Sequence, residues 1–123
     1  MLKTGLIHTS TVTVSKENLA VTMGSGDMEV FATPALVALM ENAAMCCVAL
    51  ELPEGSSTVG GMIQTSHLKP SALGAQIEAT AVLIHIEGRK LTFKVEAKEN
   101  GELIGEGTHL RFIVDKAKFL SKL

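Results

Sequence analysis

The sequence predicts an α+β domain in which a curved antiparallel sheet wraps around one long central helix. Two features predict this class. The run from Pro34 to Leu52 is apolar around its whole circumference, and much of the remaining chain alternates polar and apolar residues as half-buried strands do. A helix that is apolar on every side must be enclosed, and one sheet packed on one helix is a two-layer architecture. With 123 residues, the chain is expected to form a single domain spanning residues 1–123.

The composition favours some binding partners and argues against others. Hydrophobic residues make up 46% of the chain and charged residues only 20%, which is more apolar surface than a monomer of this size needs. We therefore expect a homodimer or a higher oligomer. A net charge of −2, 3% aromatic residues and the absence of Trp and Tyr argue against a nucleic-acid partner, because neither a basic stripe nor a stacking platform is available.

The chain is expected to be cytoplasmic and to have no membrane partner. Its N-terminus lacks the apolar core and small-residue cleavage site of a signal peptide. The central apolar run carries Glu41 and Asn42 near its middle and has no basic flank, so a membrane span is not favoured. Cys46 and Cys47 are adjacent on this helix and point about 100° apart, a poor geometry for a mutual disulfide. They are interpreted as two small buried hydrophobic residues.

The ends of the central helix have clear signals. Thr33 is a favoured N-cap residue, and Pro34 suits the first helical position. Pro53 and Gly55 follow its C-terminus. Glu41 is an isolated carboxylate in an otherwise apolar helix, and its burial costs several kcal/mol unless it is paired, protonated or facing a wet cleft, so it is the first candidate for chemistry.

Five strands follow from alternation and turn signals. Gly60-Gly61 allows a bulge in the second strand, Glu87-Gly88-Arg89 makes a tight turn, and Asn100-Gly101 is a strong hairpin signal. Gly24-Ser25-Gly26-Asp27 is a flexible loop expected to lie near Thr33. The strands are predicted at 9–14, 57–68, 76–86, 90–97 and 102–115, with 17–22 as a second arm after the first. This order and length are those of the hot-dog fold.

The sequence has no motif for a metal or a cofactor. There is no CxxC, HExxH, GxGxxG, P-loop or serine nucleophile elbow, and the four histidines have no ligand spacing. No metal and no cofactor are therefore expected, apart from any coenzyme carried by a substrate. The remaining candidates are Glu41, Thr33, His67 and the glycines at 60 and 61. A simple cap for Thr33 and an ordinary strand-end histidine for His67 are the competing interpretations. His85 and His109 are interpreted as structural.

Four segments together resemble a known family: FATPALVALMENAA at 31–44, TVGGMIQTSHLKPSALG at 58–74, EGRKLTFKVEA at 87–97 and IGEGTHLRFIV at 104–114. They are similar to the hot-dog acyl-CoA thioesterases related to fluoroacetyl-CoA thioesterase, over roughly residues 8–115. The resemblance implies Thr33, Glu41 and His67 as catalytic residues, with Gly60 and Arg111 as further counterparts. That family has a Phe-lined lid ahead of its Thr. Met23-Gly24-Ser25-Gly26-Asp27 replaces it here, so fluoroacetate specificity is not expected to carry over.

The expected activity is hydrolysis of a small or medium acyl-CoA thioester to the free acid and CoA. Glu41 would act as base or nucleophile, His67 would shuttle the proton and Thr33 would position water or the carboxylate. Backbone N–H groups near Gly60 and Gly61, or at the helix N-terminus, are candidates for the oxyanion. Candidate ligands for the CoA phosphates are Lys69, Arg89, Lys90 and Arg111; for Arg111 the alternative is pairing with a carboxylate.

Two rivals remain open. One is a hot-dog hydratase or dehydratase of enoyl or 3-hydroxyacyl thioesters, and the other is a catalytically silent module that binds acyl thioesters. Helix geometry adds a constraint on any active site. Eight residues of helix rise about 12 Å, so Thr33 and Glu41 cannot touch. The site must then draw on two chains, or Thr33 must reach it from a bent helix entry.

Overall fold

All 123 residues are described by the computed structural model, and they form one antiparallel sheet packed on one long helix. The spatial order of the strands is β1-β3-β4-β5-β2, so β1 and β2 are the two edges. This is the predicted hot-dog arrangement. The strands are β1 (Ile7–Thr13), β2 (Ser56–His67), β3 (Gln76–Glu87), β4 (Lys90–Glu99) and β5 (Glu102–Asp115), and the helices are α1 (Ala20–Met23), α2 (Thr33–Ala49) and α3 (Lys116–Ser121).

The central helix α2 buries one side against the concave face of the sheet. The sheet presents inward-facing apolar residues, among them Leu83, Leu91, Phe93 and Val95, and all four are fully buried. The opposite side of α2 stays open to solvent at Ala38 and Met45, with Val37 and Glu41 half-buried. Its buried residues are Leu36, Leu39, Met40, Ala43, Ala44, Cys47 and Val48. A single chain therefore encloses only part of a helix that is apolar on every side.

The edge strand β2 contains a bulge at the predicted glycines. Gly60 pairs with Arg111 and Met62 pairs with Leu110, so Gly61 is the extra residue. One residue of insertion reverses the alternation of faces along the rest of a strand. As a result Gly60 and His67, which lie an odd number of residues apart, both face α2.

The hairpin turn between β4 and β5 is confirmed. Asn100 has φ 50° and Gly101 has φ 77°, the two left-handed positions that a two-residue turn requires. None of the helices is long and apolar enough to cross a membrane.

The second arm predicted at 17–22 is wrong. Lys16–Asn18 form a 3₁₀ turn and Ala20–Met23 form the short helix α1. The cause is local hydrogen bonding: the Asn18 side chain accepts from the backbone N–H of Ser15 at 2.9 Å and donates to the carbonyl of Thr13 at 3.1 Å. Such side-chain bonds compete with strand pairing.

The helix boundaries also need correction. The N-cap is Ala32, Thr33 is already helical, and no side chain caps this end. Pro34 is therefore the second helical residue rather than the first. The helix ends at Ala49, with Leu50 as its C-cap. Residues 50–52 leave it because the residue before Pro53 avoids helical backbone angles.

Candidate active site

Thr33 and His67 form a hydrogen-bonded pair at one end of β2. The Thr33 hydroxyl Oγ1 lies 2.8 Å from His67 Nδ1. Thr33 is in the first turn of α2 and His67 is the last residue of β2, so the helix start and the strand end bring them together. The role left open for Thr33 as a simple cap is excluded, because its hydroxyl bonds the imidazole instead of the helix backbone.

A cleft of about 340 Å³ opens beside this Thr33–His67 pair. The predicted flexible loop lies against it, contributing Ser25 and Gly26 to its wall. Met28, Val30 and Phe31 supply apolar lining, and Lys69 lies at the same cleft. The cleft thus combines an apolar wall, a hydroxyl and an imidazole.

The imidazole of His67 is set for proton transfer. Its Nε2 atom is buried and has no hydrogen-bond partner. The ring meets Phe31 edge-on, with centroids 6.4 Å apart. Burial lowers the pKa of His67 below 6.5, and the nearby backbone of Lys69 opposes the shift only in part. The ring is therefore neutral near pH 7 and has one nitrogen free to exchange a proton.

The carboxylate of Glu41 belongs to a second group, the Glu41 cluster, formed by Glu41, Gly60, His109 and Arg111. Arg111 Nη1 lies 3.8 Å from Glu41 Oε2. A Cβ added at Gly60 would lie 3.0 Å from the same oxygen, 3.3 Å from His109 Cε1 and 3.5 Å from Arg111 Nη1. Glycine at this position therefore makes room for the carboxylate.

Within one chain Glu41 is paired with Arg111 and only half-buried, and pairing is one of the conditions that the sequence left open for this carboxylate. Its side chain keeps 41% of its exposure, whereas the Arg111 side chain keeps 8%. The open side faces away from the sheet, where α2 is uncovered. Within one chain the carboxylate is therefore reachable by water and partly balanced by a buried guanidinium.

Arg111 is held from several directions. Its Nε donates to Thr58 Oγ1 at 2.7 Å and its Nη2 to the Thr58 carbonyl at 2.9 Å. Its Nη1 lies 3.1 Å from His109 Nε2. A guanidinium buried and occupied in this way cannot reach a CoA phosphate, so of the two alternatives left open for Arg111 the structure favours pairing with a carboxylate.

Within one chain the Thr33–His67 pair and the Glu41 cluster are separate. Glu41 lies about 12 Å along α2 from Thr33. Gly60 lies about 20 Å along β2 from His67. The three predicted catalytic residues therefore do not converge in a single copy.

The other predicted site residues lie at separate positions in the fold. The position where a Gly61 side chain would stand is occupied by the Phe112 ring, so packing accounts for this glycine. Lys69 pairs with Glu102 at 2.7 Å beside the cleft. Arg89 and Lys90 lie at the opposite end of the sheet. There Lys90 of β4 pairs with Phe112 of β5, which pairs in turn with Val59 near the start of β2. The basic candidates do not form one cluster in a single chain.

His109, for which the sequence favours a structural role, lies within the Glu41 cluster. Its ring contacts Arg111 and borders Gly60. A usable signal was present, because residues 109 and 111 are two apart on a strand and so share a face. The signal was weak, because Leu110 and Phe112 are more apolar than His109 and Arg111. Their side of β5 was therefore the more natural choice for the buried face. Elsewhere, the structure has no group of three or more His, Cys, Asp or Glu side chains placed to hold a metal ion.

Comparison with known proteins extends these observations. The model of a family described as fluoroacetyl-CoA-specific thioesterase matches residues 14–117. The fluoroacetyl-CoA thioesterase of Streptantibioticus cattleyicolor is 37% identical over 95 residues, which cover 77% of this chain and 68% of that protein.

Solved structures agree with this relationship. The structure of the fluoroacetyl-CoA thioesterase FlK superposes with a TM-score of 0.92 at 30% identity, covering 99% of this chain and 95% of that one. A thioesterase superfamily member from Thermus thermophilus superposes with a TM-score of 0.91 at 27% identity, covering 99% and 90%. The chain belongs to the fluoroacetyl-CoA-specific thioesterase family and is an acyl-CoA thioesterase of the hot-dog superfamily.

Proposed function

We propose that the protein hydrolyses short acyl-CoA thioesters to the free acid and CoA at a site built from two copies of the chain. The observation that carries this proposal is the separation of the Thr33–His67 pair from the Glu41 cluster. Each group has one member, His67 or Gly60, that faces α2 from the same strand, β2, and β2 is an open edge of the sheet. A second copy can bring together what one copy keeps apart.

The geometry of an edge pairing supports this assembly. When the open edges of two β2 strands pair antiparallel about a twofold axis, each residue meets one equally distant from the axis. An axis midway between Ile63 and Gln64 sets Gly60 of one chain opposite His67 of the partner subunit. Glu41 would then share a site with Thr33 and His67 of the partner subunit, twice per dimer.

The uncovered side of α2 supports the same assembly. Ala38 and Met45 are exposed apolar residues on that side, flanking Glu41. An obligate interface of this kind buries about 2,000 Å² or more in total. A monomer at micromolar concentration in analytical ultracentrifugation would contradict the two-copy site.

In the proposed reaction Glu41 activates water or attacks the acyl carbon itself. The new C–O bond forms as the carbonyl electrons move to oxygen, and their return breaks the C–S bond. When Glu41 activates water, the proton released by the water is relayed through the neutral imidazole of His67 to the departing CoA thiolate, and the imidazole returns to its neutral form. When Glu41 attacks directly, water then hydrolyses the resulting anhydride, which frees the acid, restores Glu41 and supplies the same proton. Thr33 orients the imidazole through its hydroxyl. Backbone N–H groups of the Gly60 segment or of the α2 N-terminus would stabilise the oxyanion.

The acyl group is proposed to be short and not restricted to fluoroacetyl. Relatives are described as fluoroacetyl-CoA thioesterases, and a variant of FlK was solved with acetyl-CoA. In this chain residues 23–27 carry no aromatic side chain, and they are exposed. The wall above the Thr33–His67 pair is therefore open and partly polar, which favours acceptance of several short acyl groups, fluoroacetyl among them.

The CoA phosphates are proposed to bind near Lys69. An overall charge of −2 gives no general attraction for CoA, so local cations must supply it. Antiparallel pairing of β2 would carry Arg89 and Lys90 of one copy toward the Lys69 end of the other. A basic cluster would then exist only in the dimer, beside the cleft.

The experiment is a panel of acyl-CoAs from acetyl to decanoyl, with fluoroacetyl-CoA included and free thiol release as the readout. We expect turnover of several short acyl-CoAs and a decline with chain length. A change in enoyl absorbance without thiol release would indicate the hydratase, and saturable binding without turnover would indicate the binding module. Either result would reject the proposal.

A further inference from the structure

We propose that His109 is a positioning residue that holds the Arg111 guanidinium in place beside the Glu41 carboxylate. The inference rests on the proposed function, in which Glu41 is the reacting carboxylate. His109 touches neither Thr33 nor His67, so it would act only through Arg111 and through the strand that presents Gly60.

Two contacts define the state of the His109 ring, which is only 1% exposed. Nδ1 lies 2.8 Å from the Met62 carbonyl oxygen. A carbonyl can only accept a hydrogen bond, so Nδ1 carries the proton. Nε2 then holds a lone pair and accepts from Arg111 Nη1 at 3.1 Å. Guanidinium has no acceptor, so the opposite tautomer would place two donors face to face.

The surroundings keep this ring neutral. Burial lowers the pKa of His109 below 6.5, while the hydrogen bond to Met62 raises it; the positive charge of Arg111 lowers it further and the charge of Glu41 raises it. The groups facing the ring are thus one cation, one carboxylate and one carbonyl. A charged imidazolium would repel Arg111 and lose its acceptor function.

The fixed tautomer determines where the Arg111 donors point. Thr58 takes Nε and Nη2, and His109 takes one N–H of Nη1. The remaining N–H of Nη1 is the donor that can serve Glu41 Oε2, 3.8 Å away. Without His109 as acceptor, Nη1 would lose the bond that holds its side of the planar guanidinium toward the carboxylate.

The same ring also ties down the bulge. Met62 directly follows the extra residue Gly61, and a bulge interrupts the strand ladder. A purely structural role would therefore be to satisfy the Met62 carbonyl. The structural role uses Nδ1 and the positioning role uses Nε2. A substitution that keeps the bond of one nitrogen and removes that of the other can therefore separate the two roles.

The test compares His109→Gln with His109→Asn. The Gln carbonyl reaches the position of Nε2 and can still accept from Arg111, whereas the Asn amide reaches the position of Nδ1 and can still donate to Met62. We expect kcat for acetyl-CoA to fall by about threefold or less in His109→Gln and by about tenfold or more in His109→Asn, with KM within about twofold in both. The melting temperature should rank in the opposite order. A kcat that follows the melting temperature, or is unchanged in both, would overturn the proposal.

Two controls keep the outcome decisive. His85 is exposed on β3, so His85→Asn and His85→Gln should match the wild type. Glu41→Gln is assayed in parallel: full activity there would overturn the proposed mechanism and this inference together, whereas its loss beside two fully active His109 variants would overturn this inference alone. If His109→Asn does not fold, ¹⁵N NMR of the wild-type ring decides, because the proposal requires the Nδ1-protonated tautomer near pH 7 and any other state would contradict it.

Discussion

The Thr33–His67 pair and the Glu41 cluster both include residues of α2 and β2, but they differ in how their polar atoms are used. In the Glu41 cluster, Arg111 has partners for each of its nitrogens and His109 for both of its own. In the Thr33–His67 pair, one imidazole nitrogen is buried without a partner. The first arrangement fixes a charge in place, and the second leaves a group able to exchange a proton. In the proposed reaction, each group supplies what the other lacks.

The largest expected effect comes from removing the charge at the centre of the Glu41 cluster. Glu41→Gln should lower thioester hydrolysis by about 100-fold or more, the scale of losing a general base, while the melting temperature stays within a few degrees. The fold should survive because Arg111 keeps its bonds to Thr58 and His109. Turnover and melting temperature are measured on one preparation. A fully active, folded Glu41→Gln would remove the carboxylate from the mechanism.

The same experiment extends to the other half of the comparison. His67→Ala should also impair turnover strongly, because the proton donor to the thiolate is lost. Residues that act as a unit are not additive, so the double variant should be scarcely worse than the poorer single one. Additive losses would mean that the two groups work independently.

The adjacent glycines offer a matched pair with an intermediate effect. Gly60→Ala puts a Cβ 3.0 Å from Glu41 Oε2, so we expect a loss of about tenfold in kcat from displacing the carboxylate. Gly61→Ala meets Phe112, which is 38% exposed and can turn aside, so stability rather than kcat should fall. Equal losses of kcat would instead indicate that the backbone of both glycines serves the oxyanion.

A smaller effect is expected at the basic edge of the cleft. Lys69→Glu should raise KM for acyl-CoA severalfold and change kcat by less than about twofold, because it touches binding rather than chemistry. Its exposed pair with Glu102 is worth little, about 0–1 kcal/mol, so stability should hardly change. Lys94→Glu, on the outer face of β4, is the control with the same change of charge. If both variants have the same KM, local recognition by Lys69 is rejected.

The smallest expected effect is on stability against pH. Burial lowers the pKa of both His67 and His109 below 6.5. Below about pH 6.5 these histidines bind protons in the unfolded chain but not yet in the folded one. The free energy of unfolding therefore decreases as the pH falls from about 6.5 to the pKa values of the folded state. The melting temperature should therefore fall between pH 7.5 and 5.5, and less steeply in His109→Gln. His85→Gln should follow the wild type; an unchanged slope in His109→Gln would contradict the assignment.

Periodicity and turn chemistry were enough to predict the fold. The apolar run marked α2, alternation marked the strands, and Gly60-Gly61 and Asn100-Gly101 marked the bulge and the hairpin turn. Each of these signals depends only on residues close together in the sequence, and the periodic ones are carried by many residues at once. The error at 17–22 arose where one side chain, Asn18, decides the backbone through hydrogen bonds that propensity does not describe.

For the candidate site, the sequence predicts a set of residues but not their arrangement. Resemblance pointed to Thr33, Glu41 and His67, and helix geometry indicated that Thr33 and Glu41 cannot meet in one regular helix. What the sequence could not provide was register. Only the pairing of β2 with β5 shows that the bulge brings Gly60 and His67 to one face, and that His109 and Arg111 point inward although their neighbours are more apolar.

The most direct test of the two-copy site is complementation between inactive chains. Glu41→Gln and His67→Ala chains are co-expressed with different affinity tags, and the mixed dimer is purified through both tags. If Glu41 of one chain works with His67 of the partner subunit, the mixed dimer holds one site without substitutions and should show about half the wild-type turnover. If the residues of one chain formed each site, every site in the mixed dimer would carry a substitution, and turnover no higher than in the parent variants would contradict the account.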